Sequence, residues 1–200
     1  AIDRYARLLD QARKHADEHL QMQNDRHVGA RASREEMLEA LQSPLSINGE
    51  DDDKIIDLLA SQAERGAIAS GSPRYFGFVI GGSSPVALAA DWLVSSWDQN
   101  AGIYATSPLS AVIEEVAADW IVDLLGLPAE SEVGFATGCQ MANFTCLAAA
   151  RHSILRRVGW DVEADGLMGA PQVHFITSAE PHVTIDVALR YLGFGTRAIH

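Results

Sequence analysis

Lysine is almost absent from this 200-residue sequence, which contains only Lys14 and Lys54 beside thirteen arginines. Acidic residues outnumber basic ones by 27 to 15, so the formal net charge is −12. A nucleic-acid partner requires clustered positive charge, and this charge balance argues against one. With 48% hydrophobic residues, the chain can bury one sizeable core. The composition therefore favours a protein that handles small molecules.

Long apolar runs and a secretory signal are also missing. Every apolar stretch is broken by Gly, Ser, Pro or charge before the roughly 20 residues that a membrane span needs. The first residues mix charged and apolar side chains, unlike a signal peptide. Cys139 and Cys146 lie about 10 Å apart along one predicted helix, too far for a disulfide. We therefore expect a protein without a membrane partner in a reducing compartment, the cytoplasm.

Helical periodicity dominates residues 1–69. Ser33 and Glu36 form a capping-box pattern before a short apolar run. The acidic residues 50–53 stand where a third helix begins, and the helix dipole favours negative charge there. They lack the Asp/Asn alternation and the closing Glu of a calcium loop, so the helix start is the favoured interpretation.

Beyond residue 69, loops rich in Gly, Ser and Pro alternate with regular elements. Helices are predicted over residues 86–97, 109–125, 140–156 and 183–192, and strands over residues 133–136, 173–177 and 196–200. Alternating strands and helices are typical of an α/β domain with a mainly parallel sheet. Because so few strands would leave the sheet poorly covered, we expect this α/β domain to be incomplete.

The most informative segment runs from a predicted strand through Thr137, Gly138 and Cys139 into a helix. This order aims free backbone N–H groups and a positive dipole end at one spot, as in phosphate sites. Gly138 allows close backbone approach, and its neighbours can add side-chain contacts. A purely structural role stays open, with Thr137 capping the helix and Gly138 making the turn. The segment lacks both GxGxxG and the P-loop pattern, so a simple phosphate is favoured over a nucleotide.

His182 is the second candidate residue, at the start of a helix that follows predicted strand 173–177. The carboxyl ends of parallel strands face the ligand crevice, which places His182 at the same edge as Thr137 and Cys139. A lone histidine is more often structural, but this position favours function.

Together these segments resemble the group II pyridoxal-dependent decarboxylases, the family of aromatic-L-amino-acid and glutamate decarboxylases. The resemblance covers almost the whole chain and is strongest over residues 72–78, 82–85, 106–115, 137–151 and 180–182. It implies pyridoxal 5'-phosphate as the cofactor and a PLP-dependent transferase-like (fold type I) large domain. Residues 70–200 would form the first part of that domain, and residues 1–69 an N-terminal helical arm that packs on the partner of a homodimer.

The resemblance also implies residue roles. Thr137, Gly138 and Cys139 match the turn that binds the cofactor phosphate, with Cys139 replacing the commoner Ser. His182 matches the histidine that stacks on the pyridine ring and assists proton transfer. The implied substrate pocket is apolar or aromatic and consists of Phe78, Val79 and Ile80 in one loop, with Ile103 and Tyr104 reaching into the partner subunit's pocket.

The function implied for the full-length protein is decarboxylation of an L-amino acid with an aromatic or apolar side chain. In the family, the lysine that holds the cofactor and the carboxylate that pairs with its ring nitrogen come from later strands. Lys14 and Lys54 fit neither role and are better interpreted as solvated surface charges. We therefore expect the 200-residue chain alone to be inactive, as a fragment of a longer enzyme or one of two pieces.

Other interpretations stay open. Another fold-type-I enzyme, a lyase or an aminotransferase, has the same cofactor parts, and a non-catalytic homologue could keep the scaffold. Cys139 could instead act as a nucleophile with His182 as its base. His15 and His19 share a predicted helix face, but two ligands without an acidic third make a weak metal site. We favour a solvated face there and predict no metal.

Overall fold

The computed structural model describes residues 2–195 and residue 197, and the regular elements in that part of the chain are helices. They are, in order, α1 (Ile2–Met22), α2 (Arg34–Leu41), α3 (Asp52–Gly66), α4 (Pro85–Trp97), α5 (Pro108–Leu124), α6 (Cys139–Arg157), α7 (Val162–Asp165) and α8 (Val183–Tyr191). The chain divides into two compact units, Ala1–Trp97 and Asp98–His200.

In the first unit the helices begin where local capping predicts. The Ser33 hydroxyl accepts a hydrogen bond from the Glu36 N–H (3.1 Å), and the Ser33 N–H donates to the Glu36 carboxylate (2.7 Å). This reciprocal pair is the predicted capping box and starts α2. Asp51 accepts from the N–H of Asp53 at the start of α3. The acidic residues 50–53 therefore lead into a helix, as their sequence position predicts.

Helix α1 packs against α3, and polar contacts fix the pair. Arg4 and Arg7 of α1 form ion pairs with Asp52 and Asp53 in the first turn of α3. Most of these side chains are substantially exposed, so the pairs fix register more than they stabilise the fold.

Two arginines connect the end of α3 to the following loop. The Arg26 guanidinium donates to the carbonyl oxygens of Glu64 and Ala67, each at 3.0 Å. A cation at this end complements the helix dipole and satisfies carbonyls that have no intrahelical partner. The Arg74 guanidinium donates in turn to the Arg26 carbonyl at 2.6 Å. Arg74 is the one basic residue in loop 70–84. Its hydrogen bond to the Arg26 carbonyl ties this loop to the segment after α1, within the first unit.

The second unit is built around α6, which packs against α7 and α8. Its buried apolar residues are Leu155, Val162, Ala188, Leu189 and Leu192. Helix α5 begins with Pro108 in its first turn, where a missing N–H costs nothing, and its end is followed by Gly126 in the left-handed region (φ 61°). Among the described residues, no helix has the length and apolar character needed to cross a bilayer.

The predicted parallel α/β sheet is wrong for this chain, because the described residues contain no β-strand. Segments 133–136 and 173–177 have strand-like composition, but a strand forms only where a neighbour completes its ladder of hydrogen bonds. Phe175 is an isolated bridge residue. Ile176 is 90% exposed and Phe135 is 52% exposed, whereas strands of a parallel sheet are buried on both faces. The third predicted strand, 196–200, lies outside the described residues except for residue 197.

Candidate functional site

The first half of the candidate site is the start of α6. Gly138 is the N-cap residue, and no side chain in the described part of the chain caps this helix. The first helical hydrogen bond runs from the Ala142 N–H to the Gly138 carbonyl (3.1 Å), so the N–H groups of residues 139–141 lack an intrahelical acceptor. Thr137, Gly138 and Cys139 are all exposed. The alternative role for Thr137, a side-chain cap on this helix, is not observed.

The space in front of this helix start is open. Gly138 has extended backbone angles (φ 164°, ψ 174°), which any residue can adopt. A Cβ atom at this position would meet no other heavy atom within 4 Å. Gly138 therefore leaves room for a phosphate group to approach the free N–H groups, and a Cβ atom added there would not displace protein atoms.

The second half of the site is the start of α8, where His182 is the N-cap residue. Its Nδ1 accepts a hydrogen bond from the Thr184 N–H at 3.3 Å and lies 2.8 Å from the Thr184 hydroxyl. The imidazole is exposed. The ring thus has the structural role of a cap through Nδ1, while its Nε2 edge stays available to a ligand.

Side-chain contacts bring these two helix starts to one end of the second unit. Near the beginning of both helices, Gln140 Nε2 donates to the Thr184 carbonyl (3.3 Å) and Asn143 Nδ2 donates to the Thr184 hydroxyl (2.7 Å). Further along α6, Arg151 donates to the Leu192 carbonyl, directly after α8 (3.3 Å). The helices therefore run in the same direction, and Cys139 and His182 lie at the same end of the pair.

The predicted substrate-pocket residues belong to two separate loops. In the second unit, Ile103 and Tyr104 are each 63% exposed. Their loop is tightly bonded, because the Thr106 hydroxyl donates to the carbonyls of Asn100 (2.7 Å) and Ile103 (3.0 Å). It leads into the buried Ser107, so the two apolar side chains are displayed from an ordered support.

The other loop, in the first unit, contains Phe78, Val79 and Ile80, all of them exposed. Phe78 and Val79 have left-handed backbone angles, with φ of 58° and 53°. This conformation is unfavourable for a β-branched residue and marks a strained segment, a feature that clusters at functional sites.

The remaining candidates from the sequence have ordinary partners. His15 Nε2 lies 2.8 Å from Asp57 Oδ1, and Gln11 Nε2 donates to the same oxygen at 2.7 Å. The hydrogen bond with His15 and, to a smaller extent, the one with Gln11 lower the pKa of the Asp57 carboxyl below its ordinary value. His19 contacts Arg26. Partial burial, the larger cause, and the nearby Arg26 cation, the smaller one, lower the pKa of His19 below its ordinary value. Across the residues that the structure describes, no group of three or more His, Cys, Asp or Glu side chains could hold a metal ion.

Cys139 and Cys146 are both exposed and form no disulfide with each other. Lys14 and Lys54 are exposed on α1 and α3 of the first unit, as expected for solvated charges.

Sequence reasoning missed the residues that connect the two helix starts, Gln140, Asn143 and Thr184. All three are partly buried polar residues, and each lies within four positions of a predicted site residue. Their positions were a partial indication, because side chains in the first turns of two adjacent helices can contact one another. It does not specify which polar side chains meet.

Comparison with known proteins identifies the family. The model of the pyridoxal-dependent decarboxylase conserved domain matches residues 35–200. Acidic amino acid decarboxylase GADL1 of Xenopus tropicalis is 25% identical over 166 residues, which cover 83% of this chain and 31% of that protein. GADL1 of Mus musculus is also 25% identical over 166 residues, 83% of this chain and 29% of that protein.

Solved structures show the same backbone course. Mouse CSAD in its apo form superposes with a TM-score of 0.86 at 22% identity, covering 100% of this chain and 41% of that one. Oryza sativa TDC, crystallised with PLP and tryptamine, superposes with a TM-score of 0.85 at 22% identity, covering 100% of this chain and 44% of that one. At this level of identity the likeness establishes the fold of the matched portion only.

The chain belongs to the pyridoxal-dependent decarboxylase family, and the resemblance inferred from its motifs is confirmed. Homologues in this family are PLP-dependent carboxy-lyases, so pyridoxal 5'-phosphate is the family's cofactor. The chain spans under a third of the length of the curated relatives that it matches.

Proposed function

We propose that the full-length protein decarboxylates an L-amino acid with bound pyridoxal 5'-phosphate, and that Gly138, Cys139 and His182 form part of its cofactor site. The observation that carries this proposal is the shared end of α6 and α8. There an uncapped helix start with open space in front of Gly138 lies at the same end as the exposed ring of His182. Family membership supplies the class of reaction.

Each of these residues has a distinct proposed task. The free N–H groups of residues 139–141 bind the phosphate, helped by the positive end of the α6 dipole. Thr137 and Cys139 add weak side-chain contacts, since a thiol is a poorer donor than a hydroxyl. His182 packs its exposed ring against the pyridine ring and holds a proton on Nε2. When bound, the cofactor supplies an electron sink for the pair released as carbon dioxide leaves.

The proposed substrate has an aromatic or apolar side chain. Ile103 and Tyr104 support this, because they are displayed from an ordered loop, and Phe78, Val79 and Ile80 add apolar surface in another loop. Arg74 is the only basic residue of loop 70–84, and its guanidinium is engaged with the Arg26 carbonyl. Release of carbon dioxide from aromatic and from acidic L-amino acids should be compared, and a preference for the acidic ones would contradict this assignment.

The proposal extends to assembly and location. The exposed side chains of Ile103 and Tyr104 suit a homodimer with a shared active site, in which each subunit completes its partner's pocket. The exposed free thiols of Cys139 and Cys146 suit a reducing compartment such as the cytoplasm. We also propose that residues 1–69 act as the arm that packs on the partner subunit, and that this 200-residue chain is inactive alone.

The deciding experiment places a side chain at Gly138 in the full-length protein. Gly138→Val should reduce pyridoxal 5'-phosphate affinity about tenfold or more, because losing charge-assisted bonds to a phosphate costs about 1.5–3 kcal/mol. The cofactor-free protein should keep its fold, since a Cβ there meets nothing within 4 Å, and should lose at most about 1 kcal/mol because valine is a poorer N-cap residue than glycine. Binding is followed by the absorption of the bound cofactor.

Gly134→Ala provides the matched control on the same approach to α6. A Cβ at Gly134 would make one ordinary contact, with Thr145 Cγ2 at 4.0 Å, away from the helix start. This variant should bind the cofactor like the wild type. Equal affinity in Gly138→Val and Gly134→Ala would defeat the assignment of the phosphate to α6.

A further inference from the structure

Thr184 lies at the centre of a three-residue chain of hydrogen bonds in the second unit. Its hydroxyl accepts from Asn143 Nδ2 of α6 at 2.7 Å and lies 2.8 Å from His182 Nδ1. Its carbonyl accepts from Gln140 Nε2 at 3.3 Å, and its N–H points to His182 Nδ1 at 3.3 Å. One threonine thus connects the helix that begins at Cys139 to the ring of His182.

The bonds have one consistent direction. An amide NH₂ only donates, so the Thr184 oxygen accepts from Asn143 and its own hydrogen is left to donate to His182 Nδ1. The backbone N–H of Thr184 is also a donor and approaches the same ring nitrogen. Two donors converge on Nδ1, which must therefore be the unprotonated nitrogen. In the neutral ring the hydrogen is then on Nε2.

We propose that Asn143 and Thr184 are positioning residues that fix the tautomer and the ring plane of His182. This inference rests on the proposed function, since it assigns a purpose to the Nε2–H edge at the cofactor site. His182 is exposed, so packing alone would leave its ring free to rotate. The bonds to Nδ1 restrict that rotation. They leave Nε2–H exposed at the end of the second unit where α6 also begins. Second-sphere hydrogen bonds set histidine tautomers in this way at metal sites as well.

The tautomer can be measured without the cofactor. The full-length protein is labelled with ¹⁵N and ¹³C histidine, and a His182→Gln variant identifies the signals of His182. The wild type should show the Nε2–H form predominantly. Thr184→Val removes the hydroxyl donor but keeps the shape of the side chain. Since one hydrogen bond contributes a factor of about fivefold, the ratio of Nε2–H to Nδ1–H should fall about fivefold.

Three further variants separate positioning from general loosening. Thr184→Ser restores the hydroxyl and should restore the wild-type ratio. Thr145→Val is the matched control, because the Thr145 hydroxyl donates only to the Met141 carbonyl of its own helix (2.8 Å), and it should change nothing. Asn143→Leu tests the chain from the α6 side and should shift the ratio in the same direction as Thr184→Val, by a smaller factor.

The outcomes distinguish this inference from the proposed function. A His182 spectrum that is identical in wild type and Thr184→Val overturns the positioning role, and so does an equal shift in Thr145→Val. If the wild type shows the expected tautomer and its loss in Thr184→Val but binds no pyridoxal 5'-phosphate, the positioning stands and the proposed function fails.

Discussion

Leu155 gives the sharpest test of the core that packs α6 against α7 and α8. Its side chain is 1% exposed, in the core between α6, α7 and α8, whereas the adjacent Ile154 on the same helix is 47% exposed. Leucine and isoleucine have the same atoms, so Leu155→Ala and Ile154→Ala each delete three carbons. They differ in burial, which makes them a matched pair.

The expected magnitudes follow from burial. Removing three buried carbons at Leu155 costs about 2.4 kcal/mol of transfer free energy, and the cavity raises the total to about 3–5 kcal/mol. At Ile154 about half of the transfer term is lost and no closed cavity forms, which leaves about 1 kcal/mol. The better helix propensity of alanine offsets a few tenths of that. The difference is therefore at least about 2 kcal/mol.

Hydrogen exchange followed by mass spectrometry reads this difference locally in the full-length protein. Peptides covering α6 and α8 should exchange about thirtyfold faster in Leu155→Ala than in Ile154→Ala, since about 1.4 kcal/mol corresponds to a factor of ten. Peptides from α1 and α3 should exchange alike in both variants, because they belong to the first unit. Equal exchange of α6 and α8 in the two variants would refute the assignment of this core.

Two further predictions concern the first unit. Ser33→Ala should destabilise α2 by about 1 kcal/mol, measured by exchange of its amides. The pKa of Glu36 should stay below its ordinary value in that variant, because the backbone N–H of residue 33 is the larger cause of its depression. His15→Phe should raise the pKa of Asp57 in a carboxyl NMR titration, while Gln11 keeps it below the ordinary value.

Two outcomes would contradict these predictions for Glu36 and Asp57. A depressed pKa stabilises the fold above the group's ordinary pKa, and that stability is lost as the pH falls through the depressed value. Stability of α2 that is independent of pH in this acidic range would contradict the role of Glu36. Gln11→Leu should raise the pKa of Asp57 less than His15→Phe does, and the reverse order would contradict the assigned causes.

The helices could be predicted from the sequence because their signals are local. Ser33 and Glu36 define the start of α2 within four residues, and Pro108 and Gly126 bracket α5. Each predicted helix in the second half begins and ends within one residue of the observed one. Helix α7 was missed, since its four residues are too short to show periodicity.

The prediction of strands was wrong because a strand depends on a neighbouring segment, which the composition of the strand itself does not reveal. Segments 133–136 and 173–177 contain the β-branched and aromatic residues that strands favour. A helix completes its hydrogen bonds within itself, whereas a strand needs a neighbour at the right distance along another segment. In the described residues that neighbour is missing, so both segments are extended chain and Ile176 faces solvent.

The two helix starts could be predicted from the sequence, but the hydrogen bonds that connect them could not. Gly138 and His182 stand out because each occupies a helix start with a recognisable chemistry. Asn143 and Thr184 are separated by 41 positions and are common residue types, so only the packing of α6 on α8 shows that they meet.

The parallel alignment of α6 and α8 also has a kinetic consequence. Both positive helix ends are at one end of the second unit, in a chain whose formal net charge is −12. At low ionic strength an approaching anion is repelled over a long range by the net negative charge of the chain, whereas the two helix ends attract it only at short range, within about one helical turn. Added salt screens the long-range repulsion before it weakens the short-range attraction, so moderate salt should speed the encounter of an anion with this end of the second unit.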